Sequence, residues 1–420
     1  MKQMKIIPFI TKVSWTVAGS IIYAFTQFMI LSVLAKFGGP EDVGIFTLSL
    51  AMCSPIFLFL NLKLRSVIAT DFNDEYHFFD YEGLRKITSI FAIFLIIIVI
   101  SFAGYDKYIS TTIILFSIAK FFEMKSEVYY GFFQKKQLFE LIAKSVILRG
   151  LTNLIMVFLF FGLSKNLMWA ILGIALTNFF VHYFYDKRNI EKFIKVDFSK
   201  RKVNYKNIKL IFLLSFPLGL STLIGSLNTN IPRYIIENKL GLYELGIFSG
   251  LAYLLFIGNT LLSSVSQVLM PKLVKFNKDK DYRSFKKVLL IMVLFGFLVS
   301  VLMVLIFNFF GEIILTIIYS KEYVAYKNIL MVLVMGISVL YSSVFLGTAL
   351  TALKKFKVQP YIHSLSLLFL TISSILLIDE YKLIGMAWSL VIGYLVTSIG
   401  YLFSILYFIK QNKKEVKQIA

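Results

Sequence analysis

A chain of 420 residues that is 58% hydrophobic, with a mean hydropathy of +0.79, carries more uninterrupted apolar runs than a soluble core of that size requires. Its formal charge of +21 would suggest a nucleic-acid partner in a soluble protein, but here the cations fall in the connections between apolar runs, which excludes that reading. The single cysteine, Cys53, excludes an intrachain disulfide.

Apolar segments near 20 residues match a hydrocarbon layer of ~30 Å, so the expected class is an all-α integral membrane protein. The basic stretch Met1–Lys12 leads into a full-length span without an Ala-x-Ala-like cleavage site and is read as a retained first helix. Twelve spans are predicted, at about 13–35, 43–63, 87–104, 111–133, 140–162, 167–185, 210–231, 243–270, 288–309, 328–352, 360–378 and 383–409. With that spacing, 33 of the 44 Lys and Arg lie in connections on one side and 8 on the other; Lys120, Lys125 and Arg149 lie within spans. The asymmetry predicts that both termini are cytoplasmic. External connections are short and leave no room for an outer catalytic domain.

The first connection holds Gly39-Pro40-Glu41-Asp42-Val43-Gly44-Ile45-Phe46, and an echo returns as Gly241-Leu242-Tyr243-Glu244-Leu245-Gly246-Ile247-Phe248. Each copy links the first span of a six-span half to the second, which predicts two six-helix lobes related by a pseudo-twofold axis. The lobes are expected at 1–185 and 210–420, joined by a basic cytoplasmic linker, 186–209. In that linker Ile190, Phe193, Ile194, Val196 and Phe198 fit an amphipathic helix on anionic lipid, the alternative being an ordinary solvated connection.

Ionisable groups inside spans face a cavity or a partner, because lipid penalises them. In span four, Lys120, Glu123, Glu127, Tyr130 and Gln134 share one helical face, with Lys125 standing off it. Span five carries Arg149. If spans four and five run as antiparallel neighbours, Glu123 and Arg149 lie at similar depth, so Arg149 is expected to pair with Glu123 or Glu127, either statically or as a pair remade during transport. Arg65, closing Asn61-Leu62-Lys63-Leu64-Arg65, is a candidate for bidentate phosphate binding, and the repeat offset sets Gln267 opposite it in the second half. Arg233 follows Asn228-Thr229-Asn230-Ile231-Pro232, in a helix that Pro217, Gly219 and Pro232 are expected to bend or interrupt. Thr16, Ser20, Tyr23 and Gln27 form a further polar stripe on span one, compatible with cavity lining or with helix packing. The three histidines and the single cysteine give no metal-ligand spacing, and no Walker-type loop or catalytic constellation is evident.

Several stretches together carry a resemblance: Phe37-Gly38-Gly39-Pro40-Glu41-Asp42-Val43-Gly44-Ile45-Phe46, Asn61-Leu62-Lys63-Leu64-Arg65 with Thr70-Asp71, and Asp80-Tyr81-Glu82-Gly83-Leu84-Arg85. To these belong Val128-Tyr129-Tyr130-Gly131-Phe132-Phe133-Gln134, Leu148-Arg149-Gly150 and Ile231-Pro232-Arg233-Tyr234. In order and span count the chain resembles the O-antigen and capsule repeat-unit flippases of the multidrug/oligosaccharidyl-lipid/polysaccharide exporter superfamily. The resemblance implies two lobes around a central cationic cavity that alternates its access in a bacterial cytoplasmic (inner) membrane. It implies a polyprenyl-pyrophosphate-linked oligosaccharide as cargo, with polysaccharide polymerase and chain-length machinery as partners, no nucleic acid and no cofactor beyond a coupling H+ or Na+. On that reading Arg65, Arg149 and Arg233 are substrate-binding candidates and Glu123 and Glu127 ion-coupling candidates, with Lys120, Gln27, Asn228 and Gln267 lining the cavity. The alternatives are a multidrug and toxin extrusion antiporter, with the same fold, and a membrane glycan polymerase or acyltransferase, which the short external loops disfavour.

Overall fold

The computed structural model describes residues 6–71, 74–193 and 204–419, and every regular element among them is helical. The first part of the chain forms α1 (Ile6–Phe37), α2 (Gly39–Asn61), α3 (Leu64–Thr70), α4 (Phe78–Ala103), α5 (Lys107–Lys135), α6 (Phe139–Ser164) and α7 (Leu167–Phe180). A π-helical turn, Val181–Lys187, leads from α7 into the short α8 (Arg188–Phe193). Then follow α9 (Tyr205–Leu240), α10 (Leu242–Lys278), α11 (Tyr282–Ile318), α12 (Lys321–Val324), α13 (Lys327–Ala352), a 3-10 turn at Phe356–Val358 and α14 (Gln359–Ile419).

Helices dominate because a spanning segment must satisfy its backbone groups internally. Nine helices among the described residues are long and apolar enough to cross a membrane. Helix α5 is not among them, since its middle carries Lys120, Glu123, Lys125 and Glu127. Helix α14 counts once but doubles back at Lys382 (φ 49°, ψ −133°). Ser366 Oγ donates to the Gly393 carbonyl at 2.8 Å, and Tyr401 Oη meets His363 Nε2 at 2.8 Å, so its two arms are antiparallel. Outward-facing apolar side chains such as Phe94, Phe102, Leu163, Leu298, Phe309 and Leu376 remain exposed on the protein, as lipid contact demands.

The chain divides into two compact units, residues 1–226 and 227–420. In the first, α5 is the central helix, packed by α2, α3, α4 and α7, while α6 lies against α1 and α7. In the second, α13 takes the central position among α10, α11 and α14. The repeated Gly-Ile-Phe stretch is a helix start in both copies: Gly39 (φ 82°) and Gly241 (φ 101°) adopt a conformation only glycine tolerates freely. Asp42 and Glu244 then sit in the first turns of α2 and α10, at the positive ends of the helix dipoles.

Three local expectations are corrected. Helix α9 contains Pro217 and Pro232 and is not interrupted at either; a membrane helix tolerates proline where its surroundings satisfy the freed carbonyl. Helix α4 begins at Phe78, well before the expected span, so Arg85 is a buried helical residue and not a loop cation. Of the linker positions expected on an amphipathic helix, Ile190 is packed in the interior of the first unit while Phe193 is about half exposed; Ile194, Val196 and Phe198 lie outside the described residues.

Candidate functional site

The site is organised by a break at the end of α2. Leu62 (φ 53°) and Lys63 (φ 48°) both adopt the left-handed conformation, which costs a non-glycine residue about 1–2 kcal/mol. The break turns the chain into α3 and leaves the last carbonyls of α2 without helical donors. They are satisfied from three directions. Leu62 N donates to Phe59 O at 3.0 Å, and Thr222 Oγ1 on α9 donates to Leu58 O at 2.9 Å. Arg85 Nη2 donates to Asn61 O at 2.9 Å and to Asn61 Oδ1 at 2.7 Å, while Nη1 reaches Leu60 O at 3.4 Å. Arg85 is 1% exposed, and no carboxylate of the described residues lies within ion-pair distance of it. It acts as a buried C-cap for α2.

The other residues of the Asp80–Arg85 stretch clasp neighbouring elements. Asp80 accepts from Asn204 N at 2.9 Å and Asn207 Nδ2 at 2.8 Å, holding the start of α9. Tyr81 Oη donates to Asp71 Oδ2 at 3.1 Å, and Glu82 accepts from Tyr129 Oη at 3.1 Å. Lys135, the last residue of α5, places Nζ 2.7 Å from Oδ1 of Asp74 in the connection between α3 and α4, and that bond holds the Asp74 carboxyl below its ordinary range.

Helix α3 leaves the break directly against α5, and Gly131 is what permits this approach. A Cβ there would lie 3.0 Å from Ile68 Cβ and 3.1 Å from the Cα and carbonyl oxygen of Arg65. Gly131→Val is therefore expected to destabilise the protein by about 1–3 kcal/mol through overpacking, read as a lowered unfolding midpoint in detergent. An unchanged midpoint would show that α3 and α5 need not touch.

The close packing sets Arg65 on α5. Its Nε donates to Gln134 Oε1 at 3.0 Å, its Nη1 lies 3.5 Å from Glu127 Oε2, and its guanidinium sits 5.5 Å from the Tyr130 ring centre. One helical turn further along, Lys120 Nζ meets Glu123 Oε2 at 2.8 Å. Lys120, Glu123 and Glu127 line a hollow of about 390 Å³ together with Ser54, Phe57 and Asn61 of α2. All four ionic side chains are a quarter to a third exposed, so they remain within reach of an incoming polar group.

Arg149 does not join them. It is 2% exposed, and its Nη2 donates to Ser126 Oγ at 3.0 Å and to Asp186 Oδ2 at 3.2 Å. Ser126 Oγ also lies 3.0 Å from His182 Nδ1, and the His182 ring stacks on Tyr129 at 5.3 Å. Tyr130 Oη meets Ser145 Oγ at 2.6 Å beside this group. The expected partnership of Arg149 with Glu123 or Glu127 is thus replaced: Glu123 takes Lys120, Glu127 takes Arg65, and Arg149 takes Asp186 from the π-helical turn. The physical reason is that α6 packs on α1 and α7 in preference to α5, so the assumed antiparallel pair does not set the depth match.

The remaining candidates are distributed over both units. Gln27 is half-buried on α1. In the second unit Asn228 Nδ2 donates to the His363 carbonyl at 3.1 Å, and Arg233 Nη1 donates to Asn230 Oδ1 at 3.0 Å. The side chain of Gln267 lies outside the described residues. Sequence reasoning missed Arg85 and Asp186. The signal for Arg85 was present, since Tyr81, Leu84, Arg85, Thr88, Ala92 and Ile96 fall on one helical face.

Among the described residues the chain is an all-helical, multi-pass membrane protein with a charged hollow inside its first unit. Similar solved structures include an inward-facing multidrug resistance MATE family transporter (TM-score 0.73, 13% identity, 94% of this chain and 95% of that one). The lipid II flippase MurJ in an inward closed conformation is also similar (TM-score 0.71, 15% identity, 94% of this chain and 87% of that one). At these identities the likeness speaks for the fold. The chain belongs to the polysaccharide biosynthesis protein family, whose model matches residues 9–277. It is 37% identical to the capsular polysaccharide biosynthesis protein CapF of Staphylococcus aureus, over 91% of this chain and 95% of that protein.

Proposed function

We propose that the protein is a flippase that moves polyprenyl-pyrophosphate-linked oligosaccharide repeat units from the cytoplasmic to the outer leaflet of a bacterial cytoplasmic membrane, for surface polysaccharide assembly. The observation that carries this reading is the 37% identity to a capsular polysaccharide biosynthesis protein across nearly the whole chain. Twelve spans, with α14 supplying two, cytoplasmic termini and a pseudo-twofold relation between the halves complete the proposed architecture. It is supported by the equivalent central roles of α5 and α13, which carry the fourth and tenth expected spans.

The hollow supplies the chemistry. At rest each cation is neutralised, Arg65 by Glu127 and Lys120 by Glu123. A pyrophosphate entering the hollow competes for the same donors, with the planar guanidinium of Arg65 suited to bidentate binding. Displaced from their cations, Glu127 and Glu123 become available to H+ or Na+. Substrate entry and cation uptake are thereby coupled through an exchange of partners, and release of either restores the resting pairs. Alternating access of the site then carries the head group across while the lipid tail stays in the bilayer. Polymerase and chain-length machinery take the product on the outer face.

Deletion of the gene is expected to accumulate lipid-linked oligosaccharide on the cytoplasmic leaflet. The wild-type chain should restore surface glycan, and Arg65→Ala should restore about a tenth or less, because a charge-assisted contact contributes roughly 1.5–3 kcal/mol. Normal surface glycan with lost resistance to cationic aromatic compounds would instead favour the multidrug reading. Translocated units left unpolymerised would favour the polymerase.

A further inference from the structure

The cation that stands off the polar face of α5, Lys125, points to a second site. Its ammonium lies 5.4 Å from the Phe121 ring centre and 5.5 Å from that of Tyr183. Lys187, at the end of the π-helical turn, places its ammonium 5.5 Å from the same Tyr183 ring, and the Arg188 guanidinium lies 5.2 Å from the Phe184 ring. Two ammonium groups thus converge on one ring with a guanidinium beside them. No carboxylate of the described residues lies within ion-pair distance of any of the three, whereas Arg65, Lys120, Lys135, Lys144 and Arg149 each have one. Tyr183, Phe184, Lys187 and Arg188, with Phe180 and Glu191, line an open groove of about 400 Å³. Phe180 and Phe184 stack at 5.6 Å and are each about half exposed, at 51% and 53%.

We propose that this groove binds one anionic phospholipid of the surrounding bilayer, its phosphate held by Lys187 and Arg188, with Lys125 adding positive charge beside the Tyr183 ring, and its acyl chain lying on Phe180 and Phe184. The like charges repel one another, and a single Glu191 on the rim leaves the groove with a net positive charge that an anion offsets. Ring faces attract the cations but do not neutralise them. The exposed phenyl rings distinguish a lipid from a soluble phosphate, which would leave that apolar surface unused. Aromatic and basic residues side by side are also the composition that sits at headgroup depth. The π-helical turn serves the arrangement by carrying Tyr183 and Lys187 on the groove side while it directs Asp186 inward to Arg149. This site is separate from the hollow and does not depend on the identity of the cargo.

The full-length protein in detergent is to be titrated with phosphatidylglycerol and, separately, phosphatidylcholine, with retention read by native mass spectrometry. One phosphatidylglycerol per chain should be held preferentially. Each basic residue near an anionic group strengthens binding about fivefold, so Lys187→Gln/Arg188→Gln should weaken retention at least ~10-fold. Lys278→Gln/Lys280→Gln, at exposed positions far along the chain, should leave it unchanged. The unfolding midpoint in lipid-free detergent should not differ between wild type and the Lys187/Arg188 variant, while the rise on adding phosphatidylglycerol should vanish in the variant. Equal retention of the two lipids, full retention by the Lys187/Arg188 variant, or equal loss in the Lys278/Lys280 control would overturn the assignment.

Discussion

Asp186→Ala is expected to remove about 3–5 kcal/mol of stability, because it leaves the Arg149 guanidinium buried without its counter-charge. The two side chains are 0% and 3% exposed and 3.2 Å apart, so water cannot replace the lost partner. Arg149→Ala should cost a similar amount by stranding the carboxylate. The double replacement Arg149→Met/Asp186→Leu removes both charges and fills much of the same volume. It should recover most of the folded protein, since a buried pair of this kind contributes little net stability over an apolar equivalent. With the wild type and the single replacements Arg149→Met and Asp186→Leu, the double variant forms a double-mutant cycle whose coupling, read from unfolding midpoints in detergent, should exceed about 1 kcal/mol. The same cycle separates a static brace from a working pair. If the double variant folds normally and transports normally, the pair is structural. If it folds normally and does not transport, the pair is remade during the cycle.

How much of this was legible in the sequence differs between levels. Apolar length is a local property, so the order of the helices could be read directly, and helical spacing alone puts Lys120, Glu123 and Glu127, which line one hollow, on a shared face of α5. The helical start at Gly39 and its echo at Gly241 were visible as a repeated motif, though not the positive φ that explains it. What could not be read was which helix lies beside which. Because α5 and α6 are consecutive, the sequence points Arg149 to a partner on α5, whereas its partner lies on the π-helical turn, 37 residues on, because α6 lies against α7. Pairing between distant segments is fixed by packing, to which hydropathy is blind. Arg85 was missed for a different reason. A cation near a span end satisfies the charge-asymmetry rule wherever its side chain points, and only the three-dimensional break at Leu62 and Lys63 gives it a task.

That task makes Arg85 the most instructive position to change. Arg85→Ala withdraws the donors from the buried Leu60 carbonyl and the part-buried Asn61 carbonyl, and an orphaned buried acceptor costs about 1–3 kcal/mol. It also removes what holds two adjacent non-glycine residues in the left-handed region, so α2 should tend to continue straight through the break. The consequence reaches the hollow because α3 inherits its direction from that break, and α3 carries Arg65 to Glu127 and Gln134. Arg85→Ala should therefore abolish surface-glycan restoration as fully as Arg65→Ala does, although Arg85 itself does not line the hollow. Arg85→Lys, a single point donor in place of the fork, should restore only part of it. Lys63→Gly in the Arg85→Ala background provides the distinguishing test. Lys63 is exposed, and glycine adopts its φ of 48° without strain. If Arg85 works by holding the break, the glycine should recover a measurable share of restoration and raise the unfolding midpoint. If Arg85 served the cargo directly, the glycine would recover stability alone, and restoration would stay at the Arg85→Ala level.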